Sequence, residues 1–241
     1  MQLSKYMDIF HVERGHFAER TYNWVPNADA CGAAWRRHLA AIGNSPMNTA
    51  VLVIDVQQGL CEGEGKAFDC EGTIARINRV TQKARDVGAP VVFIQHESHA
   101  GYLEHGSAAW QLAAGLKVNA ADIKVRKTTP DSFLRTDLEA VLRRHGVENL
   151  VVCGMHTEFC IDTTTRRALA LGFPVVLVTD GHTSAGNVAI SAQQVIAHHN
   201  ATLTNISSFG PKVQAVSSEH VQIAANPSLE ARPRSPPHLE R

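Results

Sequence analysis

Ala50-Val51-Leu52-Val53-Ile54 is an unbroken apolar run that stops on Asp55. Its β-branched character suits a strand buried on both faces, the kind found inside parallel sheets. Working outward, Ile74, Ile77, Val80, Ala84 and Val87 recur at spacings of three and four, with Gly88 and Pro90 as stop signals, so an amphipathic helix follows the strand. Further strands are predicted at Val91–Ile94, Ile123–Arg126, Leu150–Cys153 and Val175–Val178. Helices are predicted to carry Leu134, Leu138, Val141 and Leu142, then to run from about Glu158 to Leu171 and from Val188 to His199. Strands separated by helical crossovers need long right-handed returns. The expected fold is α/β, a three-layer α/β/α sandwich around a mainly parallel six-stranded sheet.

The flanks read differently. Residues 1–46 mix aromatic and charged residues without clear period and close on the breaker cluster Gly43-Asn44-Ser45-Pro46, so they are expected to be an irregular or partner-binding extension. The regular domain is expected over 47–210. The tail, 211–241, contains Arg232-Pro233-Arg234-Ser235-Pro236-Pro237 and is expected to be partly disordered.

Composition removes several function classes. A chain of 241 residues, 44% hydrophobic and 19% charged, suits one α/β domain with a sizeable core. Lys+Arg and Asp+Glu balance at 23 each, so no charge excess points to nucleic acid or an anionic membrane. Five scattered cysteines without a C-x-x-C pair argue against a disulfide framework or a zinc knuckle and fit a reducing cytoplasm. No apolar stretch approaches the roughly 18 residues that span a bilayer. A soluble, cytoplasmic protein is the expectation.

In an open parallel sheet, function gathers beyond the carboxyl ends of the strands. There stand Asp55, Gln95, His96, Lys127, His156, Cys160 and Asp180. Cys160 falls in a strand-to-helix connection, where a helix N-terminus favours a thiolate, although an inert buried cysteine fits the same place. Asp55 after an apolar strand needs a partner, and Lys127 supplies the cation, either as a structural ion pair or as part of a nucleophile's activating set. Gln57 either orients groups in the site or caps a loop. Asp180-Gly181-His182 is expected to form a turn.

Three ordered blocks carry a resemblance: Val51-Leu52-Val53-Ile54-Asp55-Val56-Gln57; Lys127 with Ser132-Phe133 and Thr136-Asp137-Leu138; and Gly154-Met155-His156-Thr157-Glu158-Phe159-Cys160-Ile161. Over about residues 50–206 the chain resembles the isochorismatase-like cysteine hydrolases, the superfamily of nicotinamidases, N-carbamoylsarcosine amidohydrolases and related amidases. The block from Gly154 to Arg167 is most similar to the subgroup containing streptothricin hydrolase. The resemblance implies Cys160 as nucleophile, Asp55 as acid/base and Lys127 as third member. It also implies a cis Met155–His156 peptide and an oxyanion hole made by the backbone N–H groups of His156 and Cys160. The implied activity is hydrolysis of a C–N bond in a small amide, lactam or ureido compound through a thioester, without cofactor, by a homo-oligomer (dimer or tetramer). Gln57, Gln95, His96, Trp110 and Phe159 are the expected substrate-binding residues.

Two alternatives are a metal-assisted nicotinamidase and a non-catalytic oligomeric member of the fold. Glu97, His99 and His105 echo a nicotinamidase metal set, but Glu stands for Asp and the histidine spacing differs, so no metal site is expected.

Overall fold

In the computed structural model, which describes residues 48–63 and 65–224, the opening apolar run forms β1, Thr49–Ile54, with every residue buried. The extension 1–46 and the end of the tail lie outside the described residues. Five more strands follow: β2 Val91–His96, β3 Ile123–Lys127, β4 Asn149–Met155, β5 Val175–Thr183 and β6 Val213–Val216. The sheet order is β3-β2-β1-β4-β5-β6 and each neighbouring pair is parallel. This is the expected α/β architecture.

Alternation along the strands sorts the core into two layers. Leu52, Ile54, Val92, Ile94 and Val152 face one side, where they pack with residues of α3 (Leu138–Arg144), α4 (Asp162–Ala170) and α5 (Ala192–Thr204). Val51, Val53, Phe93, Val151 and Cys153 face the other and meet Ile74, Ile77, Val80 and Ala84 of α2 (Cys70–Asp86). A single helical turn, α1 (Gln58–Cys61), lies between β1 and α2.

Several boundaries differ from the sequence reading. The last helix begins at Ala192, not Val188, because Ser191 caps it: its hydroxyl accepts from Gln194 N while the Gln194 side chain accepts from Ser191 N. Val188 is fully exposed. Leu134 is also exposed, and α3 covers only its apolar second half. Asp180-Gly181-His182 continues β5 rather than turning. Val213–Val216 makes the sixth strand within the segment assigned to the tail.

The strand order places a topological switch between β1 and β4, whose residues Ile54 and Gly154 are paired. The approach is close because Gly154 adopts φ 124°, and a Cβ built there would lie 2.0 Å from the Ile54 carbonyl oxygen. Gly154→Ala should therefore destabilise the fold by about 3 kcal/mol or more, seen as a lowered urea midpoint with an unchanged slope. A midpoint equal to the parent's would show that β1 and β4 can separate at no cost.

Candidate active site

Each residue of the site is delivered by the end of a different strand. Asp55 follows β1 in the left-handed region, φ 53°, a conformation that aspartate tolerates better than most residues. Its N–H donates to the Ile94 carbonyl at 2.8 Å, so the turn is fastened to β2. His96 and Lys127 end β2 and β3 and are paired in register. β4 ends on Met155, the Met155–His156 peptide is cis, and Thr157–Ile161 forms a π-helical turn carrying Cys160 into α4.

Lys127 reaches across β2 and gathers these ends. Its ammonium donates to Asp55 Oδ2 at 2.6 Å, to Cys160 Sγ at 3.2 Å and to the Thr129 carbonyl at 3.1 Å, and lies 3.3 Å from His96 Nδ1. Asp55 and Lys127 are each 2% exposed and Cys160 8%. The three N–H groups of the ammonium are matched by Asp55, Cys160 and the Thr129 carbonyl, and His96 Nδ1 is a fourth polar neighbour at the edge of the cluster. Burial, and then the charge of Lys127, push the His96 pKa down. The ring is uncharged at neutral pH.

The environment of Cys160 does not favour the thiolate that a helix start would. Burial raises its pKa to about 12, the Asp55 carboxylate adds to the rise, and Lys127 only partly opposes them. The cysteine lies inside a π-helical turn, the fourth residue of five, and not at the open end of an α-helix where unpaired N–H groups would favour an anion. The resting group is a thiol beside an ion pair. Asp55 Oδ1 is buried and has no hydrogen-bond partner, while Asp55, His96 and Cys160 hold their polar atoms within 4.8 Å of one another. An unsatisfied acceptor thus waits near an S–H donor.

A pocket of about 210 Å³ opens over this cluster, lined by Asp55, Leu60, His96, Leu103, His156, Phe159 and Cys160. Of the expected substrate-binding residues it includes His96 and Phe159, whose ring is 58% exposed. Gln57, Gln95 and Trp110 are elsewhere. The buried Gln57 amide donates to the carbonyls of His96 and Trp110, both at 2.9 Å, and accepts from His96 N at 2.8 Å. Gln95 donates to the same Trp110 carbonyl at 3.0 Å. Both glutamines are consumed in fastening backbone. The Trp110 ring packs edge-on against His105. Leu60 and Leu103 were not foreseen. One sits on a four-residue helix and the other in an irregular loop at φ 66°, where no period marks a residue.

Among the described residues, Asp55, His96 and Cys160 are the group whose ligand atoms converge as a metal would need. The Lys127 ammonium touches all three, so a cation would have to displace it. Glu97 instead faces Arg126 at 3.6 Å, and neither His99 nor His105 joins the converging group.

A second buried set holds the π-helical turn. His182 of β5 bonds Thr157 Oγ1 through Nδ1 at 2.8 Å and Asn200 Oδ1 through Nε2 at 3.0 Å. Ser184 donates to Glu158 Oε1 at 2.7 Å.

The isochorismatase domain model matches residues 49–212. The chain belongs to the isochorismatase family. Isochorismatase-family relatives include a streptothricin hydrolase of Streptomyces noursei, 35% identical over 134 residues that cover 55% of this chain and 49% of that protein. The chain therefore spans about half the length of that relative. A ureidoacrylate amidohydrolase, RutB of Variovorax paradoxus, is 29% identical over 61% of this chain and 73% of its own. A crystal structure of an isochorismatase family protein superposes with a TM-score of 0.66 at 31% identity, covering 72% of this chain and all of that one.

Two measurements check these electrostatics. Iodoacetamide labelling of Cys160, followed on its own peptide, should accelerate about tenfold per pH unit up to at least pH 10, since only the thiolate reacts; a plateau near pH 7 would mean a resting thiolate. Burial lowers the His182 pKa to about 4 from 6.5, with the Asn200 bond opposing. The unfolded chain therefore takes up that proton first, and stability is lost as pH falls from about 6.5 towards 4, by about 3 kcal/mol in all. His182→Gln should flatten this dependence in urea titrations, and an unchanged slope would assign the acid lability to other groups.

Proposed function

We propose that the protein is a cysteine-dependent hydrolase that cleaves the C–N bond of a small amide, lactam or ureido compound through a thioester. The observation that carries this reading is the convergence of Cys160, Lys127 and Asp55 at one pocket, with Asp55 Oδ1 free to accept a proton. The names of the relatives, a streptothricin hydrolase and a ureidoacrylate amidohydrolase, support the same bond class.

Chemistry begins with a substrate carbonyl against Cys160 Sγ. As sulfur forms its bond to carbon, the thiol proton passes to Asp55 Oδ1, so no thiolate need exist beforehand. The carbonyl oxygen, now negative, is met by the backbone N–H groups of His156 and Cys160. The tetrahedral adduct collapses, the C–N bond breaks, and Asp55 returns the proton to the departing nitrogen. Water then attacks the thioester, giving its proton to Asp55, and the acid and the thiol are regenerated. Lys127 balances the carboxylate throughout and lends positive charge to the sulfur as it reacts.

The pocket narrows the substrate. Its volume is about seven times the space of a liquid water molecule, below that of drug-sized sites. Leu60, Leu103 and Phe159 give it apolar walls. Asp55 is already paired, and burial lowers the pKa of both His96 and His156. A compact substrate without net charge at the reacting end fits this lining.

Cys160→Ala and Asp55→Asn should each cut release of ammonia or amine from a panel of small neutral amides, lactams and ureides by roughly 10³-fold or more, with the fold retained by circular dichroism. Acid-quenched parent enzyme should carry the acyl mass on tryptic peptide 145–166. Turnover surviving in Cys160→Ala would overturn the mechanism.

A further inference from the structure

Two cysteines outside the reaction stand together beside the pocket. Cys61 is the last residue of α1 and Cys70 the first of α2. The segment between them folds back on itself: Ala67 N donates to the Leu60 carbonyl at 2.9 Å and Lys66 N to the Gly63 carbonyl at 3.3 Å. That return brings Cys70 Sγ to 3.8 Å from the Leu60 carbonyl oxygen, on the peptide group that leads into Cys61. Both side chains pack in the same apolar cluster, Cys70 buried and Cys61 half-buried.

The two sulfurs are chemically unequal. The neighbouring Cys61 thiol lowers the Cys70 pKa against the opposing effect of burial, with the Ala67 backbone and Lys66 adding to the lowering, and the proximity of Cys70 together with burial raises that of Cys61. Cys70 also opens a helix of 17 residues, where an anion is favoured. The remaining described cysteines lack such a partner thiol. Cys153 is fully buried, donates to the Leu52 carbonyl at 3.4 Å and has its pKa driven up by burial, and Cys160 belongs to the active site.

We infer that Cys61 and Cys70 form a reversible disulfide switch that answers to hydroperoxides and ties α1 to α2 next to the pocket wall. The Cys70 thiolate attacks the outer oxygen of a hydroperoxide, the O–O bond breaks, and Cys70 becomes a sulfenic acid while the alcohol, or water, departs with the second oxygen. The Cys61 sulfur then attacks the sulfenic sulfur, the S–O bond breaks, and water leaves with the Cys61 proton. Two thiols have been oxidised by two electrons and one peroxide reduced. Dithiothreitol reverses the step by thiol–disulfide exchange. Leu60, which lines the pocket, is the neighbour of Cys61, so the cross-link forms one residue from the wall.

Trypsin cuts after Lys66 and separates the two cysteines, which makes the test direct. The full chain is treated with hydrogen peroxide, alkylated, digested and mapped without reduction. Peptide 67–76 should appear joined to peptide 38–66 with loss of two hydrogens, and should separate again after dithiothreitol. The same link should form in Cys160→Ala, which distinguishes it from chemistry of the active-site thiol. In Cys61→Ser, dimedone should trap a sulfenic acid on Cys70; in Cys70→Ser, Cys61 should stay a thiol. Cys70 carried straight to sulfinic acid in the parent chain, a link to another cysteine, or both thiols unchanged when added glutathione is fully oxidised would each overturn the inference.

Discussion

Lys127 bridges three strand ends, and the site follows from that one bridge. Its ammonium lies beneath the surface with an aspartate, a histidine, a carbonyl and a thiol as partners. Removing two opposite charges from water costs each several kcal/mol, and their attraction repays this only with good geometry and further hydrogen bonds. The sheet supplies the geometry through register: His96 opposite Lys127, Ile54 opposite both Ile94 and Gly154. Such a pair adds little net stability, and its removal on one side leaves an uncompensated charge. What the pair contributes is position: it holds the carboxylate and the ammonium beside the thiol.

The bridge also determines the protonation state of the sulfur. A lysine against a cysteine ordinarily favours the thiolate, but here the lysine is already shared with a carboxylate that pulls the other way, and burial decides the balance. The site therefore holds a proton acceptor next to a thiol, the arrangement on which the proposed attack on a carbonyl relies.

Much of this was legible in the sequence, for identifiable reasons. β1, β2 and β4 announce themselves because both faces are buried, so nearly every position must be apolar. Asp55, Lys127 and Cys160 stand at the ends of such runs within distinctive blocks. The polar second half of β5 was hidden because Asp180 and His182 spend their side chains on Ser218, Thr157 and Asn200, partners remote in sequence. β6 has four residues, two of them exposed, too few to show a period. Gln57 and Gln95 looked like ligands because polar residues at strand ends generally do, and only the tertiary path of the 97–122 segment reveals their backbone partners.

That path has an architectural result. The two glutamines grip the segment at the main-chain oxygen of residue 110, a handle common to all amino acids. Position and side-chain identity are thereby uncoupled: the loop stays moored over the sheet while the residues it presents can change. Leu103 is one such residue. Under the proposed hydrolysis, a fixed floor beneath an interchangeable roof would let one apparatus be fitted to differently shaped substrates by exchanging the roof alone.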